Sequence, residues 1–299
     1  MDALVTGSSG FLGRGFVQEL RRRGYSVTCV DTNDPNFAID AHHLFDWGSL
    51  INLDLVVHCA AVAPHRSAID TAPALVGAEN LALDANLFRW AAQTEPKRII
   101  YLSSSAVYPI DLQNDSTVLH ELFEQDQRVD RINIGKPDGA YGWTKLTGER
   151  LADWYRQQGG QITVVRPFSG YGEDQSTLFP FGAFIERALR REDPYLIWGD
   201  GLQVRDWVHR DDVVRGALAV AESEIRTPIN LCTGIGTSMV ELVDQICAQA
   251  GYAPLVVTDR TKPSGVAHRV GSIKQMSRIY EPRVTLEQGI ARALQHRRR

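Results

Sequence analysis

One turn near the N-terminus constrains the fold more than any other feature. Thr6-Gly7-Ser8-Ser9-Gly10-Phe11-Leu12-Gly13 follows a short apolar run, Ala3–Thr6, and opens an amphipathic stretch, Phe11–Arg23. In that order, Gly7 permits a sharp turn, Gly10 lets the main chain approach a diphosphate, and Gly13 lets the helix lie against the strand. The helix start offers unpaired N–H groups and a positive dipole end to the phosphate. The next apolar run, Ser26–Asp31, ends in a carboxylate eighteen residues past Gly13. There it can accept hydrogen bonds from the ribose hydroxyls of an adenosine. That carboxylate repels a 2′-phosphate, and Thr32-Asn33-Asp34 supply no arginine to hold one. The turn therefore points to NAD rather than NADP.

Strand–helix alternation continues. Leu53–Cys59, Arg98–Ser103 and Gln161–Phe168 read as further strands, with helices at 72–93 and Tyr141–Gln158 between them. Near-continuous apolar runs such as Ile99-Ile100-Tyr101-Leu102 suit strands buried on both faces, and crossover helices favour a parallel sheet. After about residue 168 the segments shorten and glycines multiply, which predicts a smaller second lobe. Residues 109–140 form a polar stretch that reads as a flap or surface insertion.

With 32 Lys+Arg against 36 Asp+Glu, the net charge is −4. No basic stripe is available for a phosphate backbone, which counts against nucleic acid as a partner. The one basic run, Arg297–Arg299, reads as a frayed tail. No apolar run approaches a membrane span, and no leader is apparent, so the expected location is cytoplasmic. Cys29, Cys59, Cys232 and Cys247 are widely spaced and read as free buried thiols. The histidines show no metal-ligand spacing, so no metal is expected. The tryptophans read mostly as core anchors; Trp143 instead reads as lining the cofactor or a partner surface.

Two further pieces fall at strand ends on the same sheet edge. Ser103-Ser104-Ser105-Ala106-Val107-Tyr108 follows one strand, and Tyr141-Gly142-Trp143-Thr144-Lys145 opens a helix. Tyr and Lys at i and i+4 share a helical face, and an ammonium beside a phenol favours the phenolate that acid/base chemistry uses. With these residues in place, the sequence resembles the extended short-chain dehydrogenases/reductases of the NAD-dependent nucleotide-sugar epimerase/dehydratase family. The match runs through His58-Cys59-Ala60-Ala61, Asn80, Gly148-Glu149, Arg166-Pro167-Phe168, Gly199-Asp200-Gly201, Arg205-Asp206-Trp207-Val208-His209, Asn230–Gly234 and Leu286–Gly289.

The resemblance implies an α/β fold, a Rossmann-type doubly wound parallel sheet with a smaller C-terminal α/β substrate lobe. The expected division is 1–168 plus about 203–226 for the NAD-binding domain, and 169–202 with 227–299 for the substrate lobe. It implies Ser104, Tyr141 and Lys145 as the catalytic set. The cofactor contacts would be Gly7, Ser9, Gly10, Phe11, Leu12, Gly13, Asp31, Asp46, Trp47, Ala60, Ala61, Asn80, Tyr141, Lys145 and Pro167. Ser105, Ser169 and Arg205 would face the substrate. Arg205 pairing a diphosphate competes with a structural pair to Asp206.

Departures from the family pattern bear on the reaction. Ser105-Ala106 stand where the dehydratase branch carries an Asp-Glu pair, which argues against dehydration. Ser169 replaces Asn, Leu83-Asp84 replace Gly-Thr, Pro109 replaces Gly, and Gly271 replaces Asp. The loop around Gly172–Phe181 carries Glu173 and Asp174 but no Arg or Lys, which counts against a carboxylate-bearing sugar. The implied activity is epimerisation of a nucleotide-diphosphate sugar at C4, with a 4-keto-sugar-nucleotide reductase or dehydrogenase as the alternative. A dehydratase or a non-catalytic dinucleotide-binding protein ranks behind these. Relatives pair through two long helices, so a homodimer with a four-helix interface is expected.

Overall fold

The computed structural model describes residues 1–33, 40–41, 52–62, 71–114, 119–128 and 134–298. Its strands are β1 (Asp2–Thr6), β2 (Ser26–Val30), β3 (Leu55–His58), β4 (Ile99–Leu102), β5 (Glu121–Leu122), β6 (Ile162–Pro167), β7 (Ser169–Tyr171), β8 (Tyr195–Trp198), β9 (Val204–His209), β10 (Ile229–Leu231), β11 (Gly236–Ser238), β12 (Val256–Asp259) and β13 (His268–Gly271). The α-helices are α1 (Phe11–Arg22), α2 (Pro73–Thr94), α3 (Gly139–Gln157), α4 (Pro180–Leu189), α5 (Arg210–Glu222), α6 (Met239–Ala250) and α7 (Leu286–Arg297).

Among the described residues, six strands form one parallel sheet in the order β10-β6-β4-β3-β1-β2. Every residue of β3, β4 and β6 is buried. Helices cover both faces, as a parallel sheet requires. Phe16 and Leu20 of α1 pack with Val213 and Ala217 of α5 on one side; Leu87 and Trp90 of α2 pack with Ala152 and Tyr155 of α3 on the other. The strand order reverses at β1, because β2 lies on one side and β3 on the other. A doubly wound sheet opens its binding crevice at that point, outside the carboxyl ends of the strands.

A second sheet joins β11, β9, β13 and β5, with β7 also on β9, and β12 pairs β8 in a third. Tyr171, Phe181, Trp207, Leu242 and Ile290 anchor a separate core beneath them. Four expectations need correction. The described part of 109–140 is docked: the buried Gln127 side chain donates to Val107 O and Ile134 O, and Gln113 donates to Tyr108 O and Pro109 O. Arg297 is engaged at the end of α7, donating to Glu173 O at 3.2 Å, so the tail is held rather than frayed there. Of the described tryptophans, only Trp90 and Trp207 are core; Trp143, Trp154 and Trp198 are 43%, 51% and 50% exposed. Cys232 and Cys247 are buried free thiols as expected, whereas Cys29 and Cys59 are only partly buried.

Candidate active site

The glycine turn closes on the β3 end. Gly7 has φ +64°, and a methyl there would lie 2.7 Å from Ala60 N. Ala60 N in turn donates to Thr6 Oγ1 at 3.2 Å, so the strand ends on either side of the crevice are stitched together. At Gly13 a methyl would run into the Gly7 carbonyl. α1 starts at Gly10 with no side-chain cap and no acidic residue in its first turn. Its leading N–H groups and dipole are thus left for an outside anion.

Asp31 sits at the tip of β2. Its Oδ2 accepts Ser9 N–H at 3.1 Å and its Oδ1 accepts Asn33 N–H at 2.9 Å, which fixes the carboxylate beside the turn. Phe11 lies under the Arg210 guanidinium, 5.2 Å from its ring centroid. A turn that admits no Cβ at Gly7, an open helix start and a carboxylate at the adjoining strand tip fit a dinucleotide with a free ribose, NAD.

Asn80 is 1% exposed, and its amide is used to fix the loop after β3. Its Oδ1 accepts Val62 N–H at 3.0 Å, while Nδ2 donates to Val62 O and Val76 O. It therefore shapes the wall at Ala60 and Ala61. Pro167 ends β6 opposite Leu231 of β10. Asp46 and Trp47 lie outside the described residues.

The serine turn is built at the end of β4. Ser104 is extended and caps a 3-10 turn, its Oγ accepting Ala106 N–H at 3.1 Å, and it stays partly exposed. Ser105 is 5% exposed and turned inward, so it presents less to a ligand than expected. The α3 start is pinned to this turn. Asp138 N donates to Ala106 O at 2.9 Å, and Gly142 packs so close that a methyl would strike the same carbonyl. That pin brings Tyr141 to the serine turn although 36 residues separate it from Ser105. Tyr141 is partly exposed; Lys145 is 2% exposed, with Nζ 6.0 Å from the Tyr141 ring centroid and 5.0 Å from that of Tyr101. An ordinary solvated helix pair would leave the lysine in water.

Beneath these residues lies a buried ionic network. Arg166 Nη2 donates to Glu149 Oε2 at 2.6 Å and Nε to Oε1 at 2.8 Å, in a bidentate pair about 1% exposed on each side. Nη1 donates to the Tyr108 hydroxyl at 3.0 Å, and that hydroxyl donates to Asn230 Oδ1 at 2.6 Å. Ser103 Oγ donates to Glu149 as well. Fully satisfied networks of this kind rigidify what rests on them, here the turn carrying Ser104. Gly148-Glu149 and Arg166-Pro167-Phe168 were visible in the sequence as family-like segments, but their mutual pairing was not.

On the second sheet, Arg205 donates to Val204 O at 2.8 Å and to Ser264 O at 3.2 Å. The Arg205–Asp206 pair is not formed. Adjacent strand residues face opposite ways, and the Asp206 carboxylate instead accepts from Thr233 N, Thr233 Oγ1, Gly234 N and Gly271 N. Gly271, one departure, is thus a backbone donor. Ser169 lies opposite Trp207 on β9. Glu173 meets His209 at 3.3 Å, and Asp174 meets Arg14 at 2.9 Å as well as Arg210. These acids are engaged in bracing the fold. Among the described residues, no cluster of three or more metal-ligating side chains occurs, and no helix is long and apolar enough to cross a membrane.

Fold and site together define a doubly wound dinucleotide-binding protein with a Ser/Tyr/Lys set at the crevice. The chain belongs to the NAD dependent epimerase/dehydratase family, whose model matches residues 3–232. It is 27% identical to dTDP-4-dehydro-6-deoxy-D-allose reductase of a Streptomyces species, over 93% of this chain and 90% of that protein. It is similar in structure to UDP-glucose 4-epimerase from Thermotoga maritima, solved with UDP-glucose, at TM-score 0.85 and 27% identity over 100% and 99% of the two chains. It also resembles MoeE5 in complex with UDP-glucuronic acid and NAD, at TM-score 0.83 and 27% identity with the same coverage.

Proposed function

We propose that this protein is an NAD-dependent epimerase of a nucleotide-diphosphate sugar, acting at C4. The observation that carries the reading is the buried Lys145 ammonium, 6.0 Å from the Tyr141 ring, on a helix pinned to the Ser104 turn. When bound, NAD supplies reversible oxidation of the sugar carbon to a 4-keto intermediate, with nothing consumed over a full cycle. Tyr141 takes the proton from the sugar hydroxyl as the carbon is oxidised and returns it at the end. Lys145 stabilises the negative charge on the tyrosine oxygen and holds the nicotinamide ribose. Ser104 donates to the same sugar oxygen and fixes its distance from Tyr141.

Around that centre, Gly7, Ser9, Gly10, Phe11, Leu12 and Gly13 embrace the diphosphate of the cofactor, with Asp31 at the adenosine ribose and Ala60, Ala61 and Pro167 along its path. Arg205 and Ser169, on neighbouring strands of the second sheet, take the diphosphate and sugar of the substrate, whose lobe comprises 169–202 and 227–299. Ser105-Ala106 provide no acid or base for loss of water, which weighs against dehydration. The reductase relative keeps a second reading open: a 4-keto-sugar-nucleotide reductase with the same residues.

The assembly we infer is a homodimer through α2 and α3. Trp143 and Trp154, eleven positions apart on α3 and so on one helical face, are exposed, as are Leu75 (61% exposed) and Leu81 (41%) on α2. Large exposed apolar side chains gathered on two packed helices mark a surface for a partner. Four free cysteines suit a reducing cytoplasm. Mass spectrometry of the co-purifying nucleotide, followed by incubation with UDP-, GDP- and dTDP-sugars with and without added NAD(H), tests the reading. Isomer formation with no net absorbance change at 340 nm supports the epimerase; stoichiometric change supports the reductase; neither would defeat both.

A further inference from the structure

The departure at Leu83-Asp84 puts a carboxylate where the proposed chemistry does not use one. Asp84 points inward from α2 and is 1% exposed. Its Oδ2 accepts the Tyr101 hydroxyl at 2.6 Å, and its Oδ1 lies 3.4 Å from His58 Nε2. His58 Nδ1 lies 2.9 Å from Thr6 Oγ1, the same oxygen that accepts the Ala60 N–H. Thr6 Oγ1 thus joins the imidazole to the main chain at Ala60, next to the cofactor turn.

Tyr101 touches both charges. Its hydroxyl holds Asp84, and its ring faces the Lys145 ammonium at 5.0 Å. α3 crosses directly above, because a methyl on Gly148 would strike the Tyr101 hydroxyl and come within 2.7 Å of Asp84 Oδ2. A buried carboxylate persists only with a compensating charge and hydrogen bonds. Burial alone would raise the Asp84 carboxyl, but the Lys145 ammonium, His58 and the Tyr101 hydroxyl together hold it below its ordinary value. Burial pushes His58 down, which favours the uncharged imidazole beside Asp84.

The geometry points to Asp84 as a positioning residue acting through Tyr101: its carboxylate holds the Tyr101 hydroxyl, the Tyr101 ring faces the Lys145 ammonium beside Tyr141, and His58 next to Asp84 links the group through Thr6 to the cofactor turn. The inference rests on the Tyr141–Lys145 reading above and adds the group that orients the ring against which the lysine lies. Replacing Asp84 takes away the acceptor that anchors the Tyr101 hydroxyl, and with it the fixed ring beside the ammonium.

The test is a double-mutant cycle read by NAD affinity of cofactor-stripped protein, alongside kcat and KM on an accepted nucleotide sugar. Asp84→Asn keeps the shape and removes the charge; it should weaken NAD about tenfold and lower kcat by a similar factor, leaving the sugar KM unchanged. In a Lys145→Met background, adding Asp84→Asn should leave NAD affinity where Lys145→Met alone put it. Equal weakening in both backgrounds, or unchanged NAD affinity in Asp84→Asn, overturns the proposal in favour of a packing role. Should Asp84→Asn fail to fold, Tyr101→Phe runs the same cycle with a smaller expected loss, again absent without Lys145. If Lys145→Met itself left NAD affinity and turnover intact, the site reading would fall too; an effect of Lys145→Met with none of Asp84→Asn defeats only the positioning role.

Discussion

At the scale of single residues, cofactor choice turns on Asp31. Its carboxylate is held by Ser9 N–H and Asn33 N–H at the strand tip, so its charge stays beside the adenosine end of the crevice. Asp31→Ser should weaken NAD by about tenfold and narrow the gap to NADP, measured by calorimetric titration of both. Arg166 is the complementary case, structural rather than chemical. Arg166→Met leaves the buried Glu149 without its bidentate partner, and the expected loss is about 3–5 kcal/mol in denaturant unfolding. A loss below about 1 kcal/mol would show that the network is not the brace described.

Elements explain which parts of this were legible in sequence. β1, the glycine turn and α1 could be read directly, because strand, turn and helix are contiguous and Gly10 and Gly13 answer to the Gly7 carbonyl; the clash at Gly7 itself is with Ala60, across the sheet. Tyr141 and Lys145 were legible for the same reason, as i and i+4 on α3. The brace beneath them was not: Tyr108 meets Asn230 across 122 residues and Arg166 reaches the Gln127 carbonyl across 39, distances that carry no periodicity. The polar composition of 109–140 misled in the same way, since Gln113 and Gln127 are polar because they are buried donors to main-chain carbonyls. The exposed Trp154 looked like a core anchor by type alone, and only the packing of α2 against α3 shows that it lies on the outer face with Trp143, which the sequence already set apart from the core. Trp154→Arg should convert the proposed dimer to a monomer in sedimentation equilibrium while NAD binding persists. A wild-type protein that sediments as a monomer would remove the interface.

For the whole molecule, the loop after β7 joins distant parts. Asp174 reaches Arg14 on α1, Glu173 reaches His209 at the end of β9, and Arg297 on α7 donates to the Glu173 carbonyl. His209, 3.3 Å away, aided by Arg210 and opposed by burial, holds the Glu173 carboxyl down at about 2, against 4.5 ordinarily. A depressed carboxylate contributes stability that is present above pH 4.5 and lost as the pH falls from there toward about 2. Glu173→Gln should therefore lower the unfolding midpoint at pH 7 and flatten its decline in acid. An unchanged acid decline would assign that loss to other groups. The central claim concerns proton transfer at the crevice, and the most direct measurement is turnover by Tyr141→Phe with NAD still bound. This variant should retain NAD and lose sugar isomerisation by about 10²–10⁴-fold; isomerisation at the wild-type rate would remove Tyr141 from the proton transfer.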